Sequence, residues 1–345
     1  MTTPLSGRGR GFAPTLEDVA ARAGVARATA SRVLTGSPRV SPRSRQSVLQ
    51  AAADLHYTPN HAARALVTRR SDSVAFVVSE SDDRFFSDPF FVNLLRGAHR
   101  EIASTGMQLL FVITSNEAER RKFQHYATGR HLDGAVFISL HGQDPLPTQL
   151  EHLGIPVVLS GRPLDDDGTL HYVDADNVGG AVAATTLLVE RGARHIGTVV
   201  GPQDMSAGRD RLAGWRQALI AAGLRPTQRD VVAGDFTLEG GAAAAKKLMA
   251  RCPQTDGLFV ANDLMAVGAI QTLKSLGRKV PDDVAVVGFD DVPVALVAQP
   301  ALTTIRQPIE EMGQEMAKVL LDRIAGRPTE RITVLPTSVV RRQST

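Results

Sequence analysis

The spacing of hydrophobic positions changes near residue 70 and divides the chain into two parts. Before that point apolar residues recur every three or four positions, which is typical of amphipathic helices. After it, short β-branched runs alternate with longer helical stretches, a pattern that favours parallel sheets with helices on both faces. The predicted strands cover residues 74–78, 109–113, 135–138, 157–159, 196–200, 258–260 and 284–287. These are too many strands for one small sheet, so we expect an α/β domain of two lobes with a ligand cleft at the carboxyl ends of the strands.

The first part of the chain predicts three short helices. Residues 15–18 have the pattern of a capping box, in which Thr15 accepts from the first turn and Asp18 reaches back. Gly24 ends this helix, and a second helix is expected from about residue 26 to residue 34. Ser41 caps a third helix, which has Pro42 at its first position. The expected buried positions are Leu16, Val19, Ala20, Ala23, Val25, Ala30, Val33, Leu34, Val48, Leu49, Ala52 and Leu55.

Two helices joined across a glycine turn and braced by a third form an all-α helix-turn-helix unit, whose second helix enters the major groove of DNA. The outward row of that helix contains Arg27 and Arg32, and an arginine can give guanine two hydrogen bonds. Contact with phosphates is the alternative for either arginine. The predicted DNA contacts of this unit are Thr15, Arg27, Ala28, Thr29, Ser31, Arg32, Arg39, Ser41 and Ser44.

Charge is unevenly distributed between the two parts. Residues 1–70 hold eleven arginines and three acidic residues, a net charge of +8, whereas the whole chain has a net charge of +3. A basic module attached to an acidic one indicates a polyanionic partner for the first part only, and a solvated basic tail is the alternative. Residues 1–14, rich in Gly, Arg and Pro, are predicted to be a disordered basic arm.

Two long motifs make the sequence recognisable. The segments TLEDVAARAGVARATASRVLTG and HYTPNHAARAL, at residues 15–36 and 56–66, resemble the lac and gal repressor family, and the resemblance runs to the end of the chain. It implies a periplasmic-binding-protein-like second part whose lobes are joined by three crossings near residues 173, 305 and 336. The expected domains are a helix-turn-helix at 15–59, a hinge helix and linker at 60–73, lobe one at 74–173 and 306–336, and lobe two at 174–305 and 337–345.

The resemblance also implies how the hinge contacts DNA. In this family the hinge helices of two subunits enter the minor groove together, and a leucine wedges into the central base step. The matching residue is Leu66, with Asn60, Ala63 and Arg64 beside it, and a plain linker-packing leucine is the alternative. Three positions depart from the family pattern: Ala26 replaces the usual Ser, Thr35 replaces a frequent Asn, and Gly161 replaces an Asp that many relatives carry. The departures at Ala26 and Thr35 leave open which phosphate contacts form. Gly161 removes one ligand contact and indicates that the first-lobe wall of the cleft has room for a larger ligand.

Candidate effector residues lie on the loops that follow predicted strands. Arg209 and Asp290 match the family arginine and carboxylate that hold the ligand, and Phe236 matches an aromatic that stacks on the ligand ring. Asn262 can both donate to and accept from a sugar hydroxyl. Each has a structural alternative: an Arg209–Asp290 ion pair, a helix cap at Asn262, and a core position for Phe236. The loop at 79–91 is expected to add Asp83 and Phe86.

The remaining sequence features narrow the class of protein. The chain has no phosphate-loop, zinc-helix or nucleophile-elbow motif, and its nine histidines show no metal spacing, so we expect neither an enzyme nor a cofactor. One cysteine and the lack of a signal or membrane segment favour the cytoplasm.

The sequence therefore predicts a homodimeric repressor on an inverted-repeat operator, released by a sugar. An activator, a purine-responsive regulator and a solute-binding protein remain alternatives. The opening and cleft segments resemble cellobiose-responsive repressors of actinobacteria.

The hinge prediction has a direct test. Replacing the wedge, Leu66→Ala, should weaken binding to a specific operator while sparing most binding to nonspecific DNA, because the wedge acts only where the central base step is opened. Titrating both kinds of duplex at one salt concentration measures the two affinities. Equal losses on the two duplexes would argue against the wedge.

Overall fold

The computed structural model describes residues 14–34, 37–58 and 70–345. It divides into two compact units on either side of the Ser71–Asp72 bond. The predicted basic arm, apart from Pro14, lies outside the described residues. So do Thr35 and the hinge positions Asn60, Ala63, Arg64 and Leu66.

The described residues of the first unit form three helices, α1 (Leu16–Ala23), α2 (Arg27–Leu34) and α3 (Pro42–Asp54). The capping box at Thr15 and Asp18 is confirmed, and Gly24 ends α1 in the left-handed conformation with φ 64°. Ser41 caps α3, with Pro42 in its first turn. The buried core is formed by Val19, Ala20, Ala30, Val33, Val48, Ala51 and Ala52.

One expected core position in this unit is wrong. Leu49 is 51% exposed, whereas Ala51 is 3% exposed. The face of α3 that meets α1 and α2 follows Val48, Ala51, Ala52 and Leu55. This is an i, i+3, i+4, i+7 series, so residue 49 points about 100° away from it.

The second unit has two lobes that the chain visits in turn. Lobe one begins with β1 (Ser73–Val78), α4 (Asp82–Ser87), α5 (Pro89–Ala103), β2 (Gln108–Ile113), α6 (Glu117–Tyr126), β3 (Gly134–Ile138), α7 (Leu146–His152), β4 (Val157–Ser160) and β5 (His171–Ala175). Lobe two contains α8 (Asn177–Glu190), β6 (Ile196–Val200), α9 (Ser206–Ala221), β7 (Val231–Ala233), α10 (Leu238–Arg251), β8 (Gly257–Val260), α11 (Asp263–Ser275), β9 (Ala285–Asp290), α12 (Val294–Val297) and β10 (Thr303–Arg306). The chain then returns to lobe one with α13 (Ile309–Ile324) and β11 (Ile332–Leu335), and it ends in lobe two with β12 (Ser338–Val340).

Each lobe is built on a six-stranded sheet, with strand order β11-β5-β4-β3-β1-β2 in lobe one and β12-β10-β9-β8-β6-β7 in lobe two. All neighbours are parallel except β10 and β12. The predicted doubly wound α/β architecture is therefore confirmed, and every predicted strand is present. The strands that the sequence reading missed are β5, β7, β10, β11 and β12, which are short, carry polar residues or lie at sheet edges. The crossings between the lobes fall at residues 176, 307–308 and 336–337.

Helices cover both faces of each sheet and enclose apolar cores. The core of lobe one includes Phe76, Leu94, Ile138 and Met316, so α13 packs in lobe one although it follows lobe two in the chain. A Cβ added at Gly97 of α5 would overlap the backbone of Glu310 in α13, which shows how closely these two helices approach. Within the described ranges, no helix is long and apolar enough to cross a membrane.

Candidate DNA interface and interlobe cleft

Helix α2 presents the predicted recognition row. Arg27, Ala28 and Arg32 are exposed, whereas Thr29 and Ser31 are half-buried. The Arg27 Nε atom lies 2.5 Å from Glu17 Oε1 of α1, and both side chains are more than half exposed. An exposed ion pair contributes little free energy, so this arginine can exchange Glu17 for a base or a phosphate at low cost.

The other predicted contacts of the first unit lie near helix starts. The Thr15 hydroxyl donates to Asp18 Oδ2 at 2.7 Å, so its main role here is the cap of α1. The backbone N–H of Ser44 donates to Ser41 Oγ at 3.2 Å at the start of α3, where a helix N-terminus favours phosphate. Arg39 is exposed in the loop before it. The four hinge positions lie outside the described residues.

The centre of the interlobe cleft is a buried arginine on α9. Arg211 is only 5% exposed. Its Nε donates to Asn177 Oδ1 at 2.9 Å, and Nη1 donates to the Ala261 carbonyl at 2.5 Å. Its Nη1 atom also lies 3.3 Å from Asp290 Oδ1, and the guanidinium stands 3.8 Å from the centroid of the Phe289 ring.

This arrangement corrects the assignment of Arg209 as the cleft arginine. Arg209 is exposed, and its Nε donates to the Gln203 carbonyl at 2.6 Å. Residues two apart on a helix point about 200° away from each other, so Arg209 and Arg211 cannot share a face. Arg211 shares its face with Ala207, one turn earlier, and both line the cleft. The sequence signal that would have identified Arg211 is its angular position on α9, which places it on the same side of the helix as Ala207.

Asp290 lies at the end of β9, as expected for a ligand carboxylate, and is 5% exposed. Burial raises its pKa to about 7, although the positive charge of Arg211 opposes that shift. The Gln307 side-chain amide donates to Asp290 Oδ1 at 2.5 Å. The pKa of Asp290 therefore lies near neutral pH. Asp290 belongs to lobe two, and its hydrogen bond with Gln307 ties it to a segment that crosses between the lobes.

Asn262 and Phe236 adopt the structural arrangement that the sequence left open as an alternative. Asn262 Oδ1 accepts from the Met265 N–H at 3.0 Å and so caps α11. Its Nδ2 donates to the Phe236 carbonyl at 2.9 Å. Phe236 is 6% exposed and has φ 66°. The side-chain amide of Asn262 thus holds the loop that carries the ring, rather than facing open space.

The 79–91 segment contributes to the cleft as expected, but neither Asp83 nor Phe86 is among the residues that line it. Asp83 is exposed, and Phe86 is 73% exposed. The reason is that Asp88 ends α4 and caps α5, which resets the helical phase between them. Phe90, in the first turn of α5, lines the cleft instead. Arg84 also faces inward, with its guanidinium 5.3 Å from the Phe236 ring centroid in the opposite lobe.

The cleft encloses a small cavity of about 80 Å³, which we call the inner chamber. Lobe one contributes Phe90, Ser139 and Gly161, and lobe two contributes Ser206 and Arg211. The lobes contact each other around it. The Arg162 Nη2 atom donates to both carboxylate oxygens of Asp210, at 2.8 and 3.1 Å. The inner chamber is therefore closed by side chains that reach from one lobe to the other.

A histidine forms a further contact between the lobes. His141, after β3, lies with Nδ1 2.9 Å from Asp204 Oδ2 of lobe two and Nε2 3.2 Å from Glu80 Oε1 of lobe one. The Ser139 hydroxyl donates to the same Glu80 oxygen at 2.5 Å. The hydrogen bond with Glu80, followed by that with Asp204, raises the pKa of His141 against the opposing effect of burial. When it is protonated, the imidazole joins two carboxylates across the cleft.

Comparison with known proteins agrees with this architecture. Residues 15–60 match the model of bacterial regulatory proteins of the lacI family, and residues 185–345 match a periplasmic binding protein-like domain. The HTH-type transcriptional regulator CelR of Thermobifida fusca is 47% identical over 333 residues, which cover 96% of this chain and 98% of the relative. The chain belongs to the lacI family of bacterial regulatory proteins.

Two solved structures are similar along almost the whole length of this lacI-family chain. A complex of the transcriptional regulator CelR with cellobiose superposes with a TM-score of 0.78 at 45% identity, covering 96% of this chain and all of that one. A lac repressor dimer bound to operator and the anti-inducer ONPF superposes with a TM-score of 0.84 at 26% identity, covering 96% and 99%. The likeness therefore includes both the helix-turn-helix and the cleft.

The contacts of His141 predict a pH dependence of stability. A raised pKa in the folded state means that the contribution of His141 is fully present below its ordinary value of 6.5 and is lost as the pH rises through the raised value. We expect His141→Gln to remove this contribution, so that the variant and the wild type differ most on the acidic side of this range. Urea unfolding of both proteins across it measures the difference.

The control for this experiment is His152→Gln, which removes an exposed histidine from α7. The difference between wild type and the His141 variant removes the titration of groups that do not contact His141, such as the buried carboxyl of Asp290, and includes the change at its partner Glu80. If the pH profiles of the His141 variant and the wild type were parallel, the protonated bridge would contribute nothing.

Proposed function

We propose that this protein is a sequence-specific DNA-binding repressor of sugar-utilisation genes, released from its operator by a sugar bound in the interlobe cleft. Cellobiose is the effector that we propose first. The observation that carries this proposal is the similarity to CelR, which spans 96% of the chain and so includes both the recognition helix and the cleft. The proposal assigns the chain a binding role and no catalytic step, acting in the cytoplasm where its DNA is.

The first unit supplies the DNA contacts in this proposal. Arg27 and Arg32, exposed on α2, read base edges in the major groove. Residues at the start of α3 and before it hold the phosphate backbone, namely Ser31, Arg39, Ser41 and Ser44. Two copies of the chain bind the two halves of an inverted repeat, because dimer symmetry then matches operator symmetry. The hinge with Leu66 supplies the minor-groove contact.

The cleft supplies the effector contacts. A planar guanidinium such as Arg211 matches paired hydroxyl oxygens, and Asp290 and Gln307 beside it can accept from or donate to others. Phe90 lines the inner chamber from lobe one, and the Phe236 ring of lobe two lies beneath the guanidinium groups of Arg84 and Arg211, which a stacking ligand would displace. A mixture of aromatic faces and paired polar groups suits a sugar ring better than a purine. Asn262 acts through the Phe236 loop that it fixes.

Effector binding is coupled to DNA binding through the angle between the lobes. The contacts of Arg84, Arg162 and His141 all run between the lobes. A sugar that favours one degree of closure therefore shifts the arrangement of the first lobes of a dimer. Couplings of this kind amount to about 1–3 kcal/mol in other regulators, which corresponds to about a 5- to 150-fold change in operator affinity.

The test is an operator shift with two matched variants. An operator is first selected from random duplexes with the wild-type protein, and its affinity is measured with and without cellobiose. We expect cellobiose to lower the affinity of the wild type and of Arg209→Lys. Arg211→Lys should bind the operator but respond at least about tenfold less sensitively to cellobiose, because lysine cannot keep the fork of hydrogen bonds.

The two variants separate the competing explanations. If cellobiose and other sugars left the operator affinity of the wild type unchanged, induction by a sugar would be excluded. If guanine or hypoxanthine altered it instead, the protein would be a purine-responsive regulator. Sugar binding without selection of any duplex would indicate a solute-binding protein. Equal sensitivity of the two variants would show that Arg211 does not contact the effector.

A further inference from the structure

We propose that a second chamber beside the inner chamber holds the second ring of a disaccharide effector. This inference rests on the proposed function, since it concerns the same cleft. The second chamber, which we call the side chamber, has a volume of about 330 Å³, against about 80 Å³ for the inner chamber. A site of about 300 Å³ or more lies in the range of ordinary small-molecule pockets.

The two chambers are neighbours that share part of their lining. Leu140, Arg162 and Ser206 line both of them, so they meet at these three side chains. Gly161 stands at the same junction with φ 89°, and the nearest atom to a Cβ built there is Ser206 Oγ at 3.6 Å. A side chain at position 161 would be strained by this φ and would extend into the junction. Because the residue is glycine, no side chain of residue 161 occupies the junction, and a ligand that spans both chambers has to displace only the Arg162–Asp210 pair.

The lining of the side chamber has the chemistry of a sugar site. The half-buried side chains of Leu140 and Leu164 form an apolar surface against which the C–H face of a pyranose can pack, and the buried Leu159 and Leu170 lie behind it. Polar groups occupy its margin: the Gln143 amide donates to the Asp165 carboxylate, and the Thr148 hydroxyl stands on α7. A pocket with apolar walls and a few fixed polar groups is typical of small-molecule recognition.

Arg162 marks where the two rings would be joined. Its guanidinium reaches across from lobe one to both oxygens of Asp210 in lobe two, so it spans the junction of the chambers. Its side chain is about one-third exposed and Asp210 is 20% exposed, so a ligand can reach the pair. Hydroxyl groups next to the glycosidic oxygen would meet this pair. In this proposal the ring nearer Arg211 occupies the inner chamber, which must widen beyond about 80 Å³ to admit it, and a monosaccharide leaves the side chamber without a ligand.

The experiment blocks the side chamber and compares two sugars. Thr148→Trp places an indole in the side chamber from α7, and Leu164→Trp does so from the opposite loop. Gln149→Trp is the control, because Gln149 is exposed on the same helix. Calorimetric titration with cellobiose and with glucose gives the affinities. We expect both chamber variants to bind cellobiose about tenfold more weakly or worse than wild type, with glucose affinity unchanged, and the control to match wild type.

The outcomes separate this inference from the proposed function. If the wild type bound neither sugar, the proposed function and this inference would both be overturned. If the wild type bound cellobiose and a folded chamber variant bound it equally well, the side chamber would not hold the second ring and the proposed function would stand. An equal loss for both sugars in both variants would show that the tryptophans distort the inner chamber, which overturns the assignment of a separate subsite.

Discussion

The burial of one positive charge organises the second unit. A guanidinium that is removed from water is stable only when its N–H donors have hydrogen-bond acceptors, and Arg211 has acceptors on several sides. Asn177, at the first position of α8, accepts from it and in turn donates to Asp174 at the end of β5. Asp290 faces it from the end of β9. The charge thus fixes the ends of strands from both lobes around one point, which becomes the floor of the cleft.

This point is also where the chain crosses between the lobes. Asp174 and Asn177 flank the first crossing at residue 176, and Gln307, which donates to Asp290, lies in the second. The Thr337 hydroxyl in the third donates to the Asp176 carbonyl at 3.4 Å. A ligand that competes for Arg211 or Asp290 therefore acts on groups that hold the crossings. This is the physical basis for expecting the lobe angle to respond to what occupies the cleft.

The sequence predicted the parts of this arrangement that follow from local pattern. Parallel strands end at one edge of a sheet, so Asn262 and Asp290 could be placed together from the loops after two predicted strands, whereas Phe236 follows the unpredicted β7 and was placed by the family resemblance. The choice of Arg209 failed because strand-end position alone ignores helical phase, which turns residue 209 outward and residue 211 inward. The choice of Phe86 failed because the sequence at residues 79–91 was interpreted as one loop, whereas the structure has two helices there, α4 and α5, separated at Asp88. No local pattern predicts the pairing of Arg162 with Asp210, which depends on how two lobes meet.

The cross-lobe contacts also set a condition on any effector. Arg84 stands over the Phe236 ring and donates to the Asp235 carbonyl, while Arg162 and His141 hold Asp210 and Asp204. A ring that stacks on Phe236 must take the place of the Arg84 guanidinium. A ligand shifts a conformational equilibrium only by its difference in affinity between two states. An effector of this cleft must therefore either preserve the closed contacts while adding its own, or replace them with better ones in a more open state. A ligand that contacts both lobes and also the junction at Arg162 can replace more of these contacts than a single ring can.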